Sequence, residues 1–153
     1  MSLGDFFPAS VREAHIEQRL TPGAVLYLPV TFPRDGKTKE KYLVLVASVA
    51  PKLLMFVINT EVNQLVARTP ALSRCNVVIP QSEHAFLDYD SNVACHEILA
   101  LDASVVAGQL NASTGRYKGY ISDELKQQIL GVIATQPKTI SKVHRDAIVA
   151  AFT

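Results

Sequence analysis

Apolar residues along this chain follow two rhythms, and the change from one to the other divides it. Val25–Val30, Tyr42–Val49 and Leu53–Asn59 are short runs rich in Val, Leu, Ile and Phe, bounded by turn formers. They are too short for a core helix and carry side chains that suit a pleated surface, so they predict strands. The brief link Ala50-Pro51-Lys52 predicts a hairpin between the second and third. From Thr60 to Ser82 the pattern weakens, and Pro70 and Pro80 suggest a long loop enclosing one strand near Cys75–Ile79. Val93–Leu101 predicts a further strand, although its alternation places Glu97 among apolar neighbours. A polar connection follows at Asn111–Lys118.

Beyond it the period becomes helical. Ser122 precedes Leu125, Ile129, Leu130 and Ile133, and Gln136-Pro137 closes that segment. Ser141 can cap a second helix carrying Val143, Ala147, Ile148 and Ala151. Near the N-terminus, Ser10 and Glu13 stand at capping-box spacing, with Val11, Ala14 and Leu20 as a thin apolar face. Thr21-Pro22-Gly23 ends that short helix. Strands followed by terminal helices predict an α+β, mainly β fold: a small bent sheet or barrel with C-terminal helices and a short N-terminal helix. With neither repeat nor linker, residues 1–153 read as one domain: an extension at 1–21, a barrel at 22–110 and a helical segment at 122–153.

Composition narrows the classes. Hydrophobic residues make up 48% of the 153 positions and charged residues 19%, enough apolar content to offset chain entropy, so disorder is excluded for most of the chain. The longest apolar runs, Leu43–Ala47 and Leu53–Ile58, fall far short of the ~20 residues of a membrane span. The first residues lack a basic segment followed by an apolar signal core, so a cytoplasmic protein without membrane association is expected. Cys75 and Cys95 have no Cys or His at metal spacing; two buried, reduced thiols are expected, with no metal and no cofactor. A net charge of +1 argues against a broad nucleic-acid surface but averages over local features.

The densest of these is Phe32–Lys41, predicted as a polar loop turning at Gly36. Arg34, Lys37, Lys39 and Lys41 face only Asp35 and Glu40 there. Such cations can lie along a phosphate backbone, or decorate a solvated hairpin tip. Asn59-Thr60 ends an apolar strand, where an amide and a hydroxyl can meet a phosphate or a base edge. Asp88, Asp90, His96 and Glu97 offer acid–base groups, although Asp90-Ser91 equally suits a turn. His15, His84 and His144 are scattered and read as surface or core. Neither a hydrolase serine elbow nor a glycine-rich phosphate loop is present.

Taken in order, several segments resemble the MazF/PemK-like toxins of type II toxin–antitoxin systems. Pro22-Gly23-Ala24-Val25 is similar to the family's opening turn and strand, and Lys41-Tyr42-Leu43-Val44-Leu45 to the basic residue leading its second strand. Ile58-Asn59-Thr60 matches the end of the third. Leu87-Asp88-Tyr89-Asp90-Ser91-Asn92-Val93, His96-Glu97-Ile98, Leu101-Asp102 and Gly119-Tyr120-Ile121-Ser122 follow at family intervals. The resemblance implies an SH3-like barrel, a homodimer, and a metal-independent endoribonuclease acting on single-stranded RNA and restrained by a cognate antitoxin. It implies catalytic roles for Lys41 and Thr60, with Arg34, Lys37, Lys39 and Asn59 holding substrate. Lys41-Tyr42 replaces the family's Arg-Pro, and a Lys lacks the guanidinium fork, which Arg34 would have to restore. The alternative is a binding module of the same fold that does not cut: a gyrase-poisoning CcdB-like toxin or an inactive relic.

Overall fold

The computed structural model describes residues 20–31, 36–59, 70, 74–135 and 137–153. The expected N-terminal helix lies outside the described residues. Strands β1 (Ala24–Thr31), β2 (Thr38–Val49) and β3 (Lys52–Asn59) form an antiparallel meander at the centre of the sheet. β4 (Asn76–Ile79), β5 (Ser91–Ala94) and β6 (Leu99–Asp102) follow, then helix α1 (Ala103–Ala112) and β7 (Tyr117–Tyr120). Helices α2 (Asp123–Ala134) and α3 (Lys142–Phe152) complete the chain. The seven strands run in the order β4-β5-β3-β2-β1-β7, with β6 also on β3. β3 is therefore shared: β2 lines one edge, while β6 pairs with Lys52–Met55 and β5 with Ile58 and Asn59 along the other. The architecture is α+β and mainly antiparallel, as the sequence pattern implies.

Both faces of the central strands are covered. In β3, all six residues from Leu53 to Ile58 are buried. Leu54, Phe56 and Ile58 enter one apolar cluster with Leu125, Ile129 and Ile133 of α2 and Ile148 and Phe152 of α3. Leu53, Met55 and Val57 enter a second cluster with Val106 and Leu110 of α1. A strand with no wet face needs no polar alternation, which is why the runs read as unbroken hydrophobe.

The helices start where their caps are. Ser122 Oγ accepts the Leu125 N–H at 3.2 Å, and Ser141 Oγ accepts that of His144 at 3.3 Å. In α3 the buried positions are Ile148 and Phe152, whereas Val143 is 65% exposed and stands off the predicted stripe. Gly23 sits in a backbone region that favours glycine: its φ is +100°, and a Cβ there would lie 2.7 Å from Lys126 Cε. Its N–H donates to Leu45 O and its carbonyl accepts the Ile121 N–H, so it joins β2 to the approach of α2.

Three segments differ from the sequence expectation. β2 begins at Thr38, so Thr38–Lys41 belongs to a hairpin strand instead of a loop. Val93–Leu101 is two short strands separated by a turn, and Glu97 is exposed in that turn. The faulty alternation marked a break in the strand. The supposed connection at Asn111–Lys118 contains the end of α1, a 3-10 turn (Thr114–Arg116) and the start of β7. α1 itself went unpredicted because its apolar residues are not confined to one face: Val105 is 54% exposed while Val106 is buried.

Cys75 and Cys95 are free buried thiols, with the Cys95 N–H donating to Cys75 O at 3.0 Å. Burial pushes both thiols above the ordinary range. No helix among the described residues is long and apolar enough to cross a membrane.

The double-sided burial of β3 yields a direct expectation. Phe56→Ala should cost about 3–5 kcal/mol of unfolding free energy, whereas Val143→Ala should change it by less than about 0.5 kcal/mol. Urea denaturation of the two variants checks this; a loss below about 1 kcal/mol for Phe56→Ala would contradict the packing described.

Candidate nucleic-acid interface

The β1–β2 hairpin sorts the charged residues of its second strand by strand geometry alone. Successive side chains of a strand point to opposite faces. Lys39 pairs with Val30 and Lys41 with Leu28, and both apolar partners belong to the cluster beneath α1. Glu40 lies between the lysines and faces the other way. Its Oε1 accepts Arg116 Nη2 at 3.1 Å, while Arg116 Nη1 donates to Tyr27 O at 3.0 Å. The local carboxylate is thus engaged on the opposite face. At the hairpin mouth, the Thr31 and Thr38 hydroxyls lie 2.7 Å apart, and Gly36 adopts φ +67° in the turn.

On the lysine face, Lys41 is half-buried and its Nζ donates to Asn59 Oδ1 at 3.5 Å, the long limit for such a bond. Lys41 enters no salt bridge with another described residue, whereas Lys52, Arg116, Lys126 and Arg145 each do. Lys37 and Lys39 are exposed, and Lys39 sits two positions, about 7 Å, along the strand from Lys41. Asn59 is held opposite Asn92 of β5, so a second amide borders the same strand end. The structure therefore brings Lys41 and Asn59 together and sets Lys39 beside them. Arg34 and Thr60 lie outside the described residues. Sequence reasoning missed Asn92 and Arg116; once β5 is placed against β3, the polar Asn-Val pattern would have indicated the first.

The opposite face is aromatic. The Tyr27 and Tyr42 rings stand 4.8 Å apart, Phe86 lies 6.3 Å beyond Tyr42, and Lys118 Nζ lies 5.7 Å above Tyr27. Tyr42 donates its hydroxyl to Phe86 O at 3.3 Å. Its pKa is raised by burial first, then by the charge of Asp88 and by Tyr27. Tyr42 is thus a packing residue of the aromatic face.

The remaining acid–base candidates have structural partners or open positions. Asp90 Oδ1 accepts the Gln81 N–H at 2.9 Å, and Ser91 Oγ donates to Tyr89 O at 3.1 Å, as suits a turn. Asp88 and Glu97 are exposed. His84 is 1% exposed. The Ser122 N–H donates to its Nε2 at 3.2 Å, so Nδ1 carries the proton and donates to Pro80 O at 2.9 Å. That neutral imidazole ties the Pro80 turn to the cap of α2. No group of three or more His, Cys, Asp or Glu side chains suited to a metal occurs among the described residues.

No protein-family model matches this chain, and no curated protein matches it. The site must be read from its own geometry. One assignment is separable from any chemistry at Lys41: His84→Ala should lower stability by about 2–4 kcal/mol, because it empties a buried position, strands the Ser122 N–H and leaves the Pro80 carbonyl with the Glu83 N–H alone. Chemical denaturation checks this, and a change below about 0.5 kcal/mol would remove the clamp.

Proposed function

We propose that this chain binds single-stranded RNA along Lys37, Lys39 and Lys41 and cuts it without a metal ion, as a toxin of the MazF/PemK-like kind. The observation that carries the reading is Lys41: a half-buried cation whose side chain meets a neutral amide and no described carboxylate. Partial burial of an uncompensated charge is costly, and an arriving anion offsets that cost. Lys39 continues the same line of charge, so the anion that fits is a chain of successive phosphodiesters. Each neutralised phosphate releases condensed counterion, which favours binding.

The chemistry follows from the backbone of RNA. The ribose 2′-oxygen attacks the adjacent phosphorus, its proton passes to a base, and the bond to the 5′-oxygen breaks as that oxygen is protonated. The products are a 2′,3′-cyclic phosphate and a 5′-hydroxyl. Lys41 supplies positive charge against the phosphorane oxygens, and Asn59 holds the ammonium through its Oδ1. Thr60 is the second group that the family resemblance assigns to proton transfer. A Lys acts here as a point charge without the two-pronged geometry of Arg. A cognate antitoxin covering this cationic strand and a homodimer belong to the same reading.

The test uses the purified chain, a single-stranded RNA oligonucleotide and excess EDTA. Cleavage to a cyclic-phosphate end is expected, with Lys41→Ala slowing it about a hundredfold or more and Lys41→Arg retaining it. Binding without cleavage would replace the enzyme with a binding module of the same surface. RNA neither bound nor cut would overturn the proposal.

A further inference from the structure

β4 is the last strand of the sheet, and no described strand pairs with its outer edge. The Cys95 N–H donates to Cys75 O, which fixes the phase of the antiparallel ladder between β4 and β5. Val77 and Ile79 therefore exchange bonds with β5, while the N–H and C=O groups of Asn76 and Val78 point away from it. Those outward groups bond to no other described strand. Val78, in the middle of this edge, is 59% exposed.

The edge opens into a groove of about 240 Å³ between β4 and the first turns of α2. Its floor and rim are Val78, Pro80 and Leu125, with Gln128 and Ser122. Two carboxylates, Glu83 and Glu124, also line it, and no cation among the described residues does. An exposed edge with an apolar residue is ordinarily blunted by a lysine or a proline within the strand, yet β4 has neither. We propose that this edge receives an extended segment of a partner protein that adds as a strand to β4, its apolar side chains against Val78 and Pro80 and its Lys or Arg side chains at Glu83 and Glu124.

Three features select that occupant. Strand addition satisfies the outward amides and carbonyls of Asn76 and Val78. Val78 leaves one exposed apolar side chain on that edge for an added strand to cover. The paired carboxylates favour cations and oppose an acidic ligand such as RNA. They also oppose a second copy of this chain pairing edge to edge, which would bring the two acidic grooves together. This surface is distinct from the lysine face of β2 and does not depend on the nuclease reading.

The test measures binding of the full chain to the fluorescent peptide Ac-Lys-Val-Lys-Val-Lys-Val-NH2 by anisotropy, with amide chemical shifts mapping the site. Saturable binding is expected, with shifts at Asn76–Ile79, Glu83, Glu124 and Gln128. Glu83→Lys/Glu124→Lys should weaken it about tenfold or more. N-methylation of alternate peptide residues should abolish it while leaving the protein unaltered. Val78→Pro should also abolish it, since the lost N–H is one that β5 does not use. No binding up to about 1 mM would overturn the proposal, as would equal binding of the Glu-Val counterpart or of the N-methylated peptide. Concentration-dependent self-association lost in Val78→Pro would overturn it in favour of a second copy.

Discussion

The burial of β3 on both faces is the constraint on which the rest of the structure depends. A strand whose six central residues are all buried must have apolar layers above and below it. Helices α2 and α3 supply one layer and α1 the other. β3 must also satisfy two edges, and it does so with β2 on one side and the short strands β5 and β6 on the other. Asn59 is where that arrangement ends: the first polar residue beyond the apolar run stands opposite Asn92 and within reach of Lys41. The candidate site is therefore located by the length of the buried strand.

Strand geometry then separates charges that are neighbours in sequence. Read linearly, Lys39-Glu40-Lys41 is a mixed cluster with partial cancellation. Folded into β2, it becomes two lysines on one face and a glutamate bound to Arg116 on the other. Cancellation of charge depends on distance in space, so a near-neutral chain can still hold a line of positive potential. The aromatic packing of Tyr27, Tyr42 and Phe86 on the far face fixes the strand that presents it.

Much of this was legible before the structure. The strands β1 to β4 and helices α2 and α3 were announced by apolar runs, by Pro and Gly punctuation, and by Ser122 and Ser141 as caps. What failed had physical reasons. The start of β2 looked like a loop because Thr38–Lys41 is an exposed hairpin extension whose polarity reports solvent and not backbone state. The break between β5 and β6 was visible only as Glu97 out of phase. α1 lacks a confined apolar stripe, so periodicity could not find it. Of the candidate site, Lys41, Lys39 and Asn59 were legible as residue types at a strand end. Their separation from Glu40 follows from period-two alternation, but the Arg116 that engages Glu40 is seventy-six residues distant in the chain.

The central claim is that Lys39 and Lys41, set on one face by β2, together with Lys37 just before that strand, make the contact with RNA. The salt dependence of affinity for a short single-stranded RNA tests it most directly, measured for the native chain and for Lys39→Ala/Lys41→Ala. If Lys37, Lys39 and Lys41 each meet one phosphate, the slope of log affinity against log salt should be about −2, falling to about −0.7 in the double variant. An unchanged slope in that variant would place the RNA elsewhere and contradict the account.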